Sequence, residues 1–157
     1  PTFLNKVSAE EISESTSIKI KAMYKIIGEL ESLGDSGETL SRILSRKNIH
    51  KKEFDSESIK NLNAMADTVS AAYDVMIENL TAAHKGELVE ISNAYNAEDR
   101  LNTLRNNLRD SVIENIDSKG DNYQASVYFI DIINTYEQMG DFMINVSQDL
   151  ERAFVKK

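Results

Sequence analysis

Apolar residues recur at intervals of three and four along almost the whole 157-residue chain, and proline occurs only at position 1. This spacing places apolar side chains on one face of an α-helix, and no internal proline forces a helix to break. Strands would require alternating patterns rich in aromatic and β-branched residues, whereas aromatic residues make up only 7% of the chain. The sequence therefore predicts an all-α fold.

The first predicted helix is expected to continue past its internal glycines. A capping box, Ser8 with Glu11, is predicted to start it. Gly34 alone would argue for a stop, but a second copy of the surrounding pattern continues past its own glycine without a breaker. We therefore expect the first helix to continue to about Lys47. The residues expected to face its core side are Ile12, Met23, Ile26, Ile27, Leu30 and Leu33.

The second predicted helix lies between a polar connector and a glycine. Asp55 or Ser56 is expected to cap its start, and residues 84–86, His-Lys-Gly, to end it. Its predicted core residues are Ile59, Leu62, Met65, Val69, Met76, Ile77 and Leu80.

A third helix is expected to follow and to stop at Gly120, after which Asp121 and Gln124 form a capping pair for the fourth. Short connections between long helices favour antiparallel neighbours, so residues 1–157 are predicted to form a single antiparallel bundle of about four long helices. The predicted core residues of the third helix are Leu88, Ile91, Tyr95, Leu101, Leu104, Leu108, Val112 and Ile116.

Charge and composition exclude several classes of function. The formal net charge of −8 would repel a phosphate backbone, and we therefore expect no nucleic-acid partner. Cysteine is absent, which excludes thiolate metal sites and fits a reducing compartment. No stretch approaches the length of apolar sequence that a membrane span requires. These features predict a cytoplasmic domain.

The most informative motif, Glu-x-x-Gly-Asp, occurs twice, at residues 31–35 and 137–141. Each copy places two carboxylates four residues apart on one helical face, where they supply hard oxygen ligands for a metal ion. Two such helices facing each other would assemble four carboxylates, from Glu31, Asp35, Glu137 and Asp141. The alternative is that the acidic pairs lie on a solvated helix face and that the glycines only permit close packing.

The other two helices carry weaker pairs with the same spacing. Asn63 with Asp67, and Glu98 with Asn102, would complete a ligand shell, although we favour a surface or helix-pairing role for them. His50 and His84 have no partner at the spacing of di-iron ligands, and no nucleophile motif or phosphate loop is present. The sequence therefore predicts a protein that is not an enzyme.

Residues 136–146 read Tyr-Glu-Gln-Met-Gly-Asp-Phe-Met-Ile-Asn-Val. This segment resembles the Leu-Glu-Arg-Ile-Gly-Asp-x-x-x-Asn-Ile segment of PhoU-like domains, which regulate bacterial phosphate uptake. Residues 30–40 resemble the same segment in the other half of that family's internal duplication. The copies depart from the pattern at Ser32 and Gln138, where the family has Arg, and at Thr39, where it has Asn. The first copy is the weaker match.

From Ser8 to Phe154 the order of elements most resembles the cytoplasmic C-terminal region of sodium/phosphate cotransporters. A complete PhoU-like domain has two three-helix halves, and this chain begins at the third helix of the first half. The resemblance implies iron or zinc as the metal. It also implies a regulatory domain of phosphate transport, tethered to the inner membrane as part of a longer transporter.

The partners implied are the membrane domain of the same transporter or a phosphate-signalling protein, and a homodimer is also compatible with the sequence. Three alternatives stay open: a metal-free helical adaptor, a free-standing regulator of phosphate uptake, and a small carboxylate-metal enzyme. The enzyme is the least favoured because histidine ligands are missing.

Overall fold

The computed structural model describes residues 13–116 and 123–154 of the chain. Within these ranges the only regular elements are α-helices, which confirms the predicted all-α bundle. The four described helices are α1 (Glu14–Ile49), α2 (Ser56–His84), α3 (Ser92–Ile116) and α4 (Tyr123–Phe154).

Helix α1 begins after the N-cap Ser13, whose side chain accepts a hydrogen bond from the backbone N–H of Thr16 at 3.2 Å. The predicted capping box at residues 8–11 lies outside the described residues. As expected, α1 continues through Gly34 without interruption and ends at Ile49, two residues beyond the predicted end.

Both predicted ends of α2 are confirmed. The N–H of Ser58 donates to Oδ1 of the N-cap Asp55 at 2.7 Å, which satisfies one of the free donors of the first turn. At the other end, Gly86 adopts a φ of 72°, a left-handed conformation that favours glycine and turns the chain away from the helix axis.

The start of α3 differs from the prediction. The third helix was expected to include Leu88, but residues 87–91 form a non-helical connector and Leu88 is exposed. Val89 and Ile91 within this connector are buried, so their apolar side chains pack into the core without helical structure. Periodicity alone does not distinguish a buried connector from the first turn of a helix. The predicted capping pair of α4 includes Asp121, which lies outside the described ranges.

Helix α4 is the centre of the bundle, because it packs against each of the other three helices. It runs antiparallel to α1: Lys19 lies over the ring of Phe154, and the amide of Asn145 donates to Glu29. It runs parallel to α2: Phe54, just before α2, packs against the ring of Phe129, and Asn79 near the end of α2 donates to the hydroxyl of Ser147. Helices α2 and α3 also pack against each other.

The predicted core faces of α1 and α2 are only partly correct. Met23, Ile27 and Leu30 of α1 are 42%, 39% and 39% exposed, whereas Ile26 is 7% exposed. Ile59 and Ile77 of α2 are also exposed. Among the described helices, α1 packs extensively only against α4, so a single neighbour covers a narrower sector than the apolar pattern spans.

None of the four described helices carries an apolar stretch long enough to cross a membrane.

Candidate functional site

The second copy of the repeated motif faces α3. Glu137 Oε1 lies 3.8 Å from Nη2 of Arg105, and the two side chains are 22% and 19% exposed. Asp141 is one turn further along α4 on the same face, close enough to Glu137 for a hydrogen bond between the two carboxyl groups when one is protonated. The pair therefore lies at the junction between α3 and α4, partly shielded from water.

Glu98 of α3 joins these two residues in an acidic cluster, which we define as Glu98, Glu137 and Asp141. Burial raises the pKa of Glu137, and the neighbouring carboxylate of Asp141 raises it further, while Arg105 opposes the shift. Burial also raises the pKa of Glu98, with Asp141 again the next cause. The carboxyl groups of Glu98 and Glu137 therefore hold their protons more tightly than isolated Glu side chains.

Two polar atoms next to this cluster have unused hydrogen-bonding capacity. Arg105 Nε and Asn102 Oδ1 are buried, and within the described residues neither has a hydrogen-bond partner. Glu98, Asn102 and Arg105 follow the three- and four-residue spacing of one helical face, so α3 presents an acid, an amide and a base to the same side of α4.

Gly140 allows the two helices to approach closely at this point. A Cβ built on Gly140 would lie 3.0 Å from Cδ2 of Leu101, a fully buried residue of α3. Such a distance is shorter than ordinary van der Waals contact, so a larger residue would push α3 away. The second glycine is therefore a packing residue, in agreement with the structural alternative considered from the sequence.

The first copy lies in a different environment. Glu31 and Asp35 are exposed, and a Cβ built on Gly34 would meet no atom within 4 Å. Leu33 of α1 is partly buried against the core, and residues two positions away from it are turned by about 200° around the helix axis. Glu31 and Asp35 therefore point away from the face that α4 covers.

The structure does not bring the four predicted ligands together. Glu137 interacts electrostatically with Glu98 and Arg105 of α3. Glu31 and Asp35, in contrast, are exposed on the side of α1 that α4 does not cover. Among the described residues no group of three or more His, Cys, Asp or Glu side chains is arranged to hold a metal ion. The guanidinium of Arg105 already supplies a positive charge beside Glu137. In this arrangement the four predicted ligands do not form a metal-binding site, and iron or zinc binding stays a prediction.

The weaker pairs separate in the same way. Asn63 and Asp67 are exposed on α2, whereas Glu98 and Asn102 are part of the α3 face that meets α4. Sequence reasoning did not single out Arg105. The available signal was its position seven residues after Glu98, which places it on the same helical face two turns away.

Asn145, the last polar residue of the motif, contacts a different helix. Its Nδ2 donates to Oε2 of Glu29 on α1 at 3.3 Å. The motif therefore connects α4 to α3 through Glu137 and to α1 through Asn145. Comparison of the chain with protein-family models, with curated proteins and with solved structures finds no match.

Proposed function

We propose that this domain is a non-enzymatic regulator of phosphate transport, and that it works as the cytoplasmic part of a sodium/phosphate cotransporter. The observation that supports this proposal most is the position of residues 136–146, the segment that resembles PhoU-like domains. In this segment Glu137, Gly140 and Asn145 each contact a neighbouring helix, so the motif joins three helices of the bundle.

The chemistry of the site supports a role in binding. The acidic cluster places like charges together beside the guanidinium of Arg105, and the pKa values of Glu98 and Glu137 are raised as a result of burial and of this repulsion. A cationic group of a partner that approached the cluster would relieve this repulsion. The domain would thereby favour the transporter state in which that partner is within reach.

The principal alternative is a helical interaction module that acts outside phosphate transport. The exposed apolar residues of α1 and α2 favour it, because contiguous apolar surface on a folded domain marks sites of protein contact. In that case the acidic cluster would serve packing and specificity, and partner binding at the apolar faces would have no effect on phosphate uptake.

The two functions are separated by labelled-phosphate uptake in cells. Residues 14–154 are deleted from the protein that contains them, and uptake is compared with that of the intact protein in phosphate-rich and phosphate-starved medium. We expect the deletion to change how uptake responds to phosphate. Unchanged rates in both media, at matched protein levels, would contradict a role in transport and favour the interaction module.

A further inference from the structure

Exposed apolar residues form a row along one flank of α1. Met23, Ile27 and Leu30 follow the spacing of a single helical face and are all exposed. Gly34 continues this row, and a Cβ built on it would meet nothing within 4 Å. The row lies about 100° from the buried one because each of these residues is one position after a core-facing residue.

The direction of this flank follows from the opposite flank of α1. Lys25, Gly28 and Ser32 line an open cavity together with α4 residues that include Asn145 and Asp149. All residues lining that cavity belong to α1 or α4. Gln148, which also lines the cavity, donates to the hydroxyl of Tyr95 on α3, so the cavity lies on the α3 side of α4. The apolar row, on the other flank of α1, therefore lies on the side of α2.

Helix α2 presents a corresponding apolar flank. Tyr73 is 46% exposed and Ile77 is 40% exposed. The opposite flank of α2, with Ala71 and Val75, lines a cavity with Asn93 and other residues of α3. Tyr73 and Ile77 are therefore on the flank that faces α1.

The two flanks also lie at the same level along the bundle axis. Glu29 of α1 contacts Asn145, and Asn79 of α2 contacts Ser147, two residues further along the same helix. Leu30 and Ile77 consequently lie at about the same level. Because α1 and α2 run in opposite directions, Gly34 lies level with Tyr73. These residues form what we call the α1/α2 groove, whose walls are Met23, Ile27, Leu30 and Gly34 of α1 and Tyr73 and Ile77 of α2.

The charges beside this groove select the kind of partner. Glu31 and Glu38 of α1 and Asp74 of α2 are exposed next to the apolar walls, and Arg42 is paired with Glu38 at 3.3 Å. A second copy of the chain would bring these acidic rims against each other, and its net charge of −8 adds to the repulsion. An anionic membrane surface would be repelled for the same reason.

We propose that the α1/α2 groove binds an amphipathic helix of a partner protein, and that the apolar stripe of this helix is flanked by Lys and Arg. Its apolar side chains would lie between α1 and α2, and its basic residues would contact the acidic rims. The open surface at Gly34 allows the backbone of the bound helix to approach α1 closely. The proposal deepens the regulatory function by naming its contact surface, but the binding itself does not depend on a role in phosphate transport.

The test uses a synthetic helical peptide of about 20 residues and roughly 30 Å, which is longer than the span of about 17 Å from Met23 to Gly34. The peptide carries Leu on one face and Lys on its flanks, and a matched peptide carries Glu in place of Lys. Binding to the full chain is measured by fluorescence anisotropy. We expect the Lys peptide to bind and the Glu peptide to bind at least about tenfold more weakly.

Two sets of variants locate the binding surface. Leu30→Ser with Ile77→Ser should weaken binding of the Lys peptide at least about tenfold, because each change removes an apolar contact. Ile113→Ser is the control, since Ile113 is also an exposed apolar residue but lies on α3. Glu31→Lys with Asp74→Lys should reverse the preference between the two peptides, while Glu114→Lys on α3 should leave the preference unchanged. Circular dichroism verifies that each variant is folded.

Three results would overturn the proposal. The first is equal binding of both peptides, and the second is the same loss from Ile113→Ser as from the groove variants. The third is self-association of the wild-type chain that Leu30→Ser with Ile77→Ser abolishes, because it would identify a second copy as the occupant. Failure here is separate from failure of the proposed function: peptide binding does not measure phosphate uptake, and uptake can depend on the domain without this groove.

Discussion

The two copies of Glu-x-x-Gly-Asp have the same sequence pattern but different surroundings. In the second copy, Glu137 lies beside Arg105 and Gly140 lies against Leu101. In the first copy, Glu31 is exposed and Gly34 has open space around it. A repeated motif therefore does not create a repeated site, because the neighbouring helix decides what each residue can contact.

The difference follows from the position of each helix in the bundle. Helix α4 packs against all three other described helices, so most directions around it are occupied. Helix α1 packs extensively against α4 alone in the described part of the chain, so most of its residues are exposed. The same pattern is consequently a packed junction in α4 and a surface feature in α1.

The largest expected difference between the copies concerns the glycines. Gly140→Leu should lower the free energy of unfolding by about 1–3 kcal/mol, because the new side chain overlaps Leu101 and forces α3 and α4 apart. Gly34→Leu is the matched change. It should raise stability by up to about 1 kcal/mol, because leucine favours the helix more than glycine does and nothing obstructs it.

These two values are measured by urea unfolding followed by circular dichroism. A similar loss of stability in both variants would contradict the different environments assigned to the two glycines.

A smaller effect is expected from the acidic cluster. The pKa values of Glu98 and Glu137 are raised in the folded state, so the folded protein retains protons that the unfolded chain has already released. Stability should therefore fall as the pH rises above about 4.3, the ordinary value for Glu. Glu98→Gln with Glu137→Gln should reduce this fall and stabilise the protein at pH 7 by up to about 1 kcal/mol.

Thermal unfolding at a series of pH values from acidic to neutral measures this effect. Glu31→Gln with Glu38→Gln removes two exposed carboxyl groups of α1, so this variant separates an effect of the cluster from an effect of the changed net charge. The opposite result would be a stability that rises with pH in the wild type and rises less in the Glu98→Gln, Glu137→Gln variant. It would show that the two pKa values are lowered in the folded state.

A still smaller effect is expected when Arg105 is removed. Its guanidinium opposes the rise in the pKa of Glu137, so Arg105→Met should raise that pKa further. We expect this further rise in the pKa to be small, because the Glu137 side chain is partly exposed and the ion pair is long. Carbon-13 NMR titration of the Glu side chains gives the value directly, and a lowered pKa in the variant would refute the pairing.

The smallest expected effect concerns metal ions. Any iron or zinc that binds should perturb the NMR signals of Glu137 and Asp141 before those of Glu31 and Asp35, because only the former pair faces a carboxylate of a second helix, that of Glu98 on α3. Glu137→Gln with Asp141→Asn should then abolish the perturbation. Stoichiometric metal retained in that double variant would refute the assignment.

The sequence was sufficient for the helices and for much of their extent. The pattern predicted that α1 and α4 continue through Gly34 and Gly140, and the residues at both ends of α2 were identified from capping and glycine. These features depend on local chemistry, which a sequence contains in full. The burial of Val89 in a connector depends on distant contacts and was not predicted.

The sequence was insufficient for choosing between adjacent apolar residues. Ile26 and Ile27 are neighbours of the same type, yet only Ile26 is buried. Helical periodicity defines an apolar sector but does not give the number of helices that cover it. The same limit applies to the candidate site, because the pairing of Glu137 with Arg105 requires knowing that α3 lies opposite that face of α4.

The most direct test compares the two copies in the phosphate-uptake assay. Glu137→Gln with Asp141→Asn and, separately, Glu31→Gln with Asp35→Asn are introduced into the protein that contains this domain. We predict that the second-copy variant changes how labelled-phosphate uptake responds to phosphate starvation by more than the first-copy variant does, because only the second copy lies at a junction between helices. A change of equal size in both variants, or a change in the first-copy variant alone, would contradict this account.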